Sequence, residues 1–266
     1  MKNFSYLALL TLLSASLHAE SISFGVVPQH SASKLAKQWA PIIEYLSERT
    51  GQKIIFSTAS DIPTFEQRLK NGEYDLAYMN PYHYTVFSEL PGYKAIAKAK
   101  DKRLKGIIVV RKDSGISQPE QLQNAELAFP SPAAFAATVL TQAYLKQSDI
   151  TFEPSYVSSH DSVYLAVAKG FFPAGGGIIR TYMALPEETR DQLTPIWTTK
   201  GYTPHAIAAH PNLDSNVKSK IQQALIEFDD SPEGLTHLEK LKLKGFVSAQ
   251  DSDWNDVRAL NITLLD

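Results

Sequence analysis

Four short stretches hold the residues best suited to gripping a ligand. The first is Asn80-Pro81-Tyr82-His83-Tyr84, where a side-chain amide and three amphipathic rings follow a mostly apolar run at 74–79. Proline has no N–H for a sheet ladder and restricts the residue before it, so the strand expected at 74–79 stops there. A strand end of this kind lies where open α/β sheets bind ligands. The second is Ser131-Pro132-Ala133-Ala134, the opening of a helix expected to reach about residue 146. Unpaired N–H groups and the positive end of the dipole at such a start favour an anion. Ser131 suits the cap and Pro132 the first helical position. The third, Ser158-Ser159-His160-Asp161, adds an imidazole whose charge is tunable across neutral pH. The fourth is Arg180, just beyond Gly175-Gly176-Gly177-Ile178-Ile179, a position from which it could pair with a carboxylate, phosphonate or sulfonate. The expected ligand contacts are therefore Asn80, Pro81, Tyr82, Ser131, Ala133, Ser159, His160 and Arg180. Each stretch also has a purely structural reading: a buried turn, two ordinary helix caps with His160 facing solvent, and a surface ion pair.

Enzyme chemistry is poorly served. There is no G-x-S-x-G elbow, no Gly-rich phosphate loop with Lys-Ser/Thr, and no H-E-x-x-H. The seven histidines are scattered, and His205 and His210 are badly spaced on an extended stretch for shared metal ligation. Glu187-Glu188 and Asp229-Asp230 read as solvated carboxylate pairs. With no cysteine there is no disulfide framework and no thiolate site. A formal net charge of −2 gives no electrostatic reason to bind nucleic acid. No catalytic residue, metal or cofactor is expected.

Elements that would position these residues follow from pattern. The chain has 266 residues, 44% hydrophobic and 20% charged, enough for two lobes with sizeable cores. Lys2, an apolar run at 6–13 and Ser14-Ala15-Ser16-Leu17-His18-Ala19 form a secretory leader, cut near Ala19. No later run reaches the roughly 20 apolar residues of a membrane span. Strands are expected at 21–27, 53–57 and 74–79, with helices at 34–50 and 64–70 between them. That order makes a parallel sheet with right-handed crossovers. Strands at 93–100 and 105–111 follow, joined by a charged turn. The same β-α-β-α logic repeats from about 112 to 200, with a helix at 162–169. An extended stretch at 203–209 and helices at 215–228, 234–241 and 254–260 close the chain. The expected architecture is α/β and two-lobed: a first lobe of 20–109 plus 204–266, a second of 110–203, and a hinged cleft between them.

These motifs also resemble a known family. F-G-V-V-P, W-x-P-x-x-E-Y-L-x-x-x-T-G (residues 39–51), Y-D-L-A-Y-M-N-P (74–81), I-I-V-V-R-K-D-S-G (107–115) and S-S-H-D-S-V (158–163) occur in the order found in phosphate/phosphite/phosphonate-binding periplasmic proteins. The resemblance implies the type II, transferrin-like fold and the role of substrate-binding component for the membrane permease of an ABC importer. It implies a periplasmic monomer holding a small anion. The same lobes could instead report to a membrane sensor histidine kinase, a role that shares the closed form. His160 matches the histidine such proteins carry at the second helix start. Of their Ser/Thr-rich turn only Ser131 is matched, Asn80-Pro81 stands where Gly-Pro is common, and Pro173-Ala174-Gly175 replaces an acidic residue that engages amino groups. These departures weaken the expectation of an aminophosphonate.

Overall fold

The computed structural model describes residues 21–265. The leader expected at 1–19 lies outside the described residues. Strand β1 (Ile22–Val26) leads into helix α1 (Ala32–Thr50). Ser31 caps α1 by accepting from Lys34 N, and Gly51 ends it in the left-handed region at φ 67°, a conformation cheap only for glycine. Leu35, Trp39, Ile42, Ile43 and Leu46 are its buried stripe, spaced as one helical face requires. β2 (Ile54–Ser57), α2 (Ile62–Lys70), β3 (Leu76–Met79), α3 (Pro81–Phe87) and β4 (Lys94–Ala99) continue the first lobe. β5 (Gly106–Arg111), β6 (Ala125–Phe129), α4 (Leu140–Gln147), β7 (Phe152–Tyr156), α5 (His160–Ala168) and β8 (Ala174–Ile178) build the second. It is completed by α6 (Ile179–Met183), α7 (Glu187–Arg190) and β9 (Leu193–Thr198). The chain then returns through β10 (Ala206–Ala209), α8 (Ser215–Glu227), α9 (Pro232–Lys240), β11 (Phe246–Ser248) and α10 (Asn255–Arg258).

Both lobes use one topology. The first sheet runs β11-β4-β10-β3-β1-β2 and the second β7-β6-β8-β5-β9. In the first, β1 is parallel to β2 and β3, while β10 enters antiparallel between β3 and β4. In the second, β6 is parallel to β7 and β8, while β5 enters antiparallel between β8 and β9. Each sheet thus receives one internal strand directly from a crossover out of the other lobe. The two crossovers, 100–105 and 199–205, pair with each other: Leu104 and Tyr202 exchange backbone hydrogen bonds of 2.8 and 2.9 Å. The charged turn expected between 100 and 105 is one of them. β5 belongs whole to the second sheet, so the division expected after residue 109 falls inside a strand.

The helix expected from residue 133 is the main departure. Phe135–Val139 forms a π-helical turn, and regular α-helix begins only at Leu140. Packing explains it. The turn's carbonyls fit against glycines on two strands: a Cβ on Gly106 would lie 2.1 Å from Ala136 O, and one on Gly176 1.9 Å from Ala137 O. Residues 133–137 and Leu140 consequently sit among the apolar core of the first lobe although the sequence places them in the second. β9 and β11 had no sequence counterpart.

This close approach makes a measurable difference. Gly176→Ala should lower stability by about 3 kcal/mol or more, because backbone cannot move aside for the new methyl group. Gly115, at φ 74° with open space around it, should lose only about 1 kcal/mol as Gly115→Ala. Urea denaturation of the two variants provides the comparison, and equal losses would remove the packing explanation.

Candidate ligand site between the lobes

The strand ends of both sheets face each other across a seam. From the first lobe come Gln29 and His30 after β1, Tyr78 and Asn80 at the end of β3, and Lys34 in α1. From the second come Ala133 before the π turn, His160 and Asp161 opening α5, and Arg180 in α6. His205 arrives on the returning crossover.

Polar groups from the two sides are already paired. Asn80 caps α3 through its Oδ1, which accepts from His83 N at 2.8 Å, and its Nδ2 donates across the cleft to Ala133 O at 3.3 Å. His30 Nδ1 meets Asp161 Oδ1 at 2.8 Å, and Lys34 Nζ lies 3.3 Å from Asp161 Oδ2. Arg180 donates to Gln29 Oε1. With its oxygen so engaged, the Gln29 amide donates to His205 Nε2 at 3.1 Å, which fixes that ring nitrogen as an acceptor. His205 stacks on Tyr78 with centroids 4.9 Å apart, and the Arg180 guanidinium lies 5.9 Å from the same ring's centre.

Enclosure dictates charge. His30, His160 and His205 are all buried. Burial lowers His30 below its ordinary pKa although Asp161 pulls the other way. Burial first, then the positive charges of His30 (whenever it is protonated) and Arg180, push His160 down to about 3. His205 falls well below its ordinary value, again mainly by burial. Burial alone would raise Asp161, but the hydrogen bond with His30, its charge once protonated in acid, and the Lys34 ammonium outweigh it and hold the carboxyl below the usual range. The three imidazoles are therefore neutral at pH 7, and the seam's fixed charges are Arg180, Lys34 and Asp161.

Asn80, Gln29, His160 and His205 line a cavity of about 10 Å³, whose apolar walls include Phe135 and Ile62. That is room for about one water. Of the residues expected to touch ligand, Asn80 and His160 line this cavity, Ala133 contributes its carbonyl at the seam, and Arg180 stands at the edge. Tyr82 goes elsewhere: its hydroxyl accepts from Leu265 N at 2.8 Å, on the far side of α3. Pro81 is buried at the start of α3, and Ser159 caps α5 by accepting from Ser162 N. Ser131 is 2% exposed, and its Oγ has no hydrogen-bond partner. Gln29, Lys34, Phe135 and His205 were not anticipated as site residues. Gln29 was legible in principle, since it follows β1 as Asn80 follows β3, at the same edge of the sheet.

Two lobes, two paired crossovers and a polar seam define a hinged solute-binding protein. Comparison with known proteins agrees. The family model described as the periplasmic substrate-binding protein of phosphonate ABC transporters matches residues 24–254, and the chain belongs to that family. It is 22% identical to the phosphate-import protein PhnD of Mycolicibacterium smegmatis, covering 90% of this chain and 84% of that protein. It is 23% identical to the phosphonates-binding periplasmic protein of Escherichia coli, covering 96% and 81%. Among solved structures, PhnD1 of Prochlorococcus marinus in complex with methylphosphonate superposes with a TM-score of 0.83 at 18% identity, covering 91% of this chain and 98% of that one. Among the described residues no helix is long and apolar enough to cross a membrane.

The neutral imidazoles give stability a defined pH dependence. Below the ordinary histidine value of about 6.5 the unfolded chain takes up protons that the folded chain refuses, so stability falls as pH falls. His160 alone, at about 3 in the folded state, should cost about 2 kcal/mol between pH 7 and pH 5. The contribution of Asp161 persists through that window, because its folded value lies below the ordinary 3.8. Urea titrations at the two pH values should show at least that loss, and His160→Gln should reduce it by about 2 kcal/mol, leaving the part due to His205 and His30. A pH-independent wild type would rule out neutral burial of His160.

Proposed function

We propose that this protein captures a small phosphorus oxyanion or related organic anion between its lobes and presents the closed complex to the permease of an ABC importer. The observation that carries this reading is the seam itself. Groups from both lobes converge on one enclosed point, and several of them now hydrogen-bond each other. A cavity of about 10 Å³ cannot admit a phosphonate. A ligand therefore enters by parting the lobes, then takes over donors now spent across the cleft, notably Asn80 Nδ2 and Arg180. It favours the closed state by the difference between its affinities for closed and open forms.

Ser131 supports the same reading. A buried hydroxyl without a partner costs about 1–3 kcal/mol, so Ser131 carries hydrogen-bonding capacity that an anion at this edge would use. The chemistry is narrower than in a multi-hydroxyl anion turn, since Ala133, Ala134 and Phe135 follow where further hydroxyls would help. The methylphosphonate complex of the Prochlorococcus marinus relative supports a ligand of that class. Export by the leader at 1–19 and action as a monomer belong to this reading.

Thermal melting with phosphate, phosphite and methylphosphonate tests it. A ligand at 100 times its dissociation constant should stabilise the protein by about 2.7 kcal/mol. Ser131→Ala should weaken the best ligand about tenfold, on the order of one anion hydrogen bond, while leaving the unliganded protein as stable as before or more so. If no anion in the panel moves the midpoint at millimolar concentration, the proposal fails.

A further inference from the structure

The small cavity has a larger neighbour. Sharing Leu104 and His205 with it, a second cavity of about 290 Å³ opens toward the crossovers. That volume is close to the lower end, about 300 Å³, of the range typical for small-molecule sites. Its lining includes five cations, Lys102, Arg103, Lys105, Arg180 and Lys242, and no Asp or Glu. This is a concentrated positive field on a chain whose formal net charge is −2. Arg103 is the member with a carboxylate partner, Asp256 Oδ2 at 2.7 Å. Arg180 is held in place by the Gln29 oxygen and the Tyr78 ring, so its guanidinium is oriented before any ligand arrives. Between the charges lie Tyr78, Ile179, Met183 and Leu243, which give the cavity an apolar floor.

The cations come from three separate parts of the chain. Lys102, Arg103 and Lys105 ride on the outgoing crossover, Arg180 on α6 of the second lobe, and Lys242 just beyond α9 of the first. A dianion among them would face cations carried by both lobes at once, which is a source of the differential affinity that closure needs. The inner cavity, by contrast, is lined by neutral imidazoles, amides and apolar groups.

We propose that the cargo is an organic phosphate or phosphonate with an apolar or aromatic body and two negative charges, seated in this outer cavity. The apolar body covers Ile179, Met183 and Leu243, and the anionic head is gripped by Arg180, Lys105 and Lys242. The inference rests on the reading of the protein as an anion receptor, and extends it from a bare oxyanion to a larger substrate class.

The test compares phenyl phosphate, inorganic phosphate and methylphosphonate by isothermal titration calorimetry on the exported chain. Wild type is set beside the double variant Lys105→Gln/Lys242→Gln, whose fold is checked by its melting temperature. Phenyl phosphate should bind wild type at least about tenfold more tightly than either small anion. The double variant should lose about tenfold for phenyl phosphate with little change for phosphate, and wild-type affinity should fall between about 20 and about 200 mM salt. Phenyl phosphate binding no more tightly than phosphate, or binding the double variant unchanged, overturns the inference. Binding of the small anions alone overturns it and leaves the proposed function standing. Lysine-dependent binding of phenyl phosphate alone retains the inference and removes the small-anion form of that function. Binding of none overturns both.

Discussion

Everything in this molecule depends on two crossing segments that hydrogen-bond to each other. The backbone exchange between Leu104 and Tyr202 ties the outgoing and returning chains into a short antiparallel pair, and Gly106 N adds a bond of 2.9 Å to Thr199 Oγ1. Because both segments run on into internal strands, β5 and β10, any rotation at the pair moves whole sheets rather than loops. His205 sits on one segment and Lys102 to Lys105 on the other. The proposed outer site thus draws residues from the joint itself.

The interior of the cleft follows from the cost of burying polar groups. Asn80, Gln29, His30, His160 and His205 are each nearly excluded from water, which is tolerable only when they are hydrogen-bonded or uncharged. The lobes meet both conditions, by pairing across the seam and by keeping the imidazoles neutral. Ser131 Oγ, like Thr138 Oγ1 in the π turn and His83 Nδ1 in α3, is without a partner, and Ser131 lies at the turn where the family resemblance implies an anion contact. The seam is consequently specific about what can replace it. In the proposed mode of capture, a solute would have to satisfy Asn80, Gln29 and Arg180 at least as well as their present partners do.

Much of this was readable in the residues. The stripe of α1, its glycine stop, the Asn80-Pro81 break after β3 and the Ser159 cap of α5 are local decisions, each made by a few neighbouring side chains. What escaped the sequence was non-local. The apolar spacing after Ser131 reads as continuous helix, but the π turn exists because Gly106 and Gly176, on two different strands, leave space for its carbonyls. Tyr82 has the same local character whether it faces the cleft or the C-terminal segment, and only the position of Leu265 decides. Lys34 meets Asp161 across 127 residues of chain, a pairing that no periodicity records. The strand at 106–111 was legible as a strand, whereas its allegiance to the second sheet was a property of topology alone.

The exchange of strands between lobes has a consequence for the history of the chain. β3 and β4 are not neighbours: each bonds to β10, so a gap one strand wide persists in the first sheet until residues 206–209 have been delivered. The N-terminal lobe therefore cannot mature while the rest of the polypeptide is still emerging. Its missing piece is long-range in sequence, the kind of pairing that slows folding most. Completion of the first sheet thus waits on the whole of the inserted second lobe, and the two walls of the cleft form late and together.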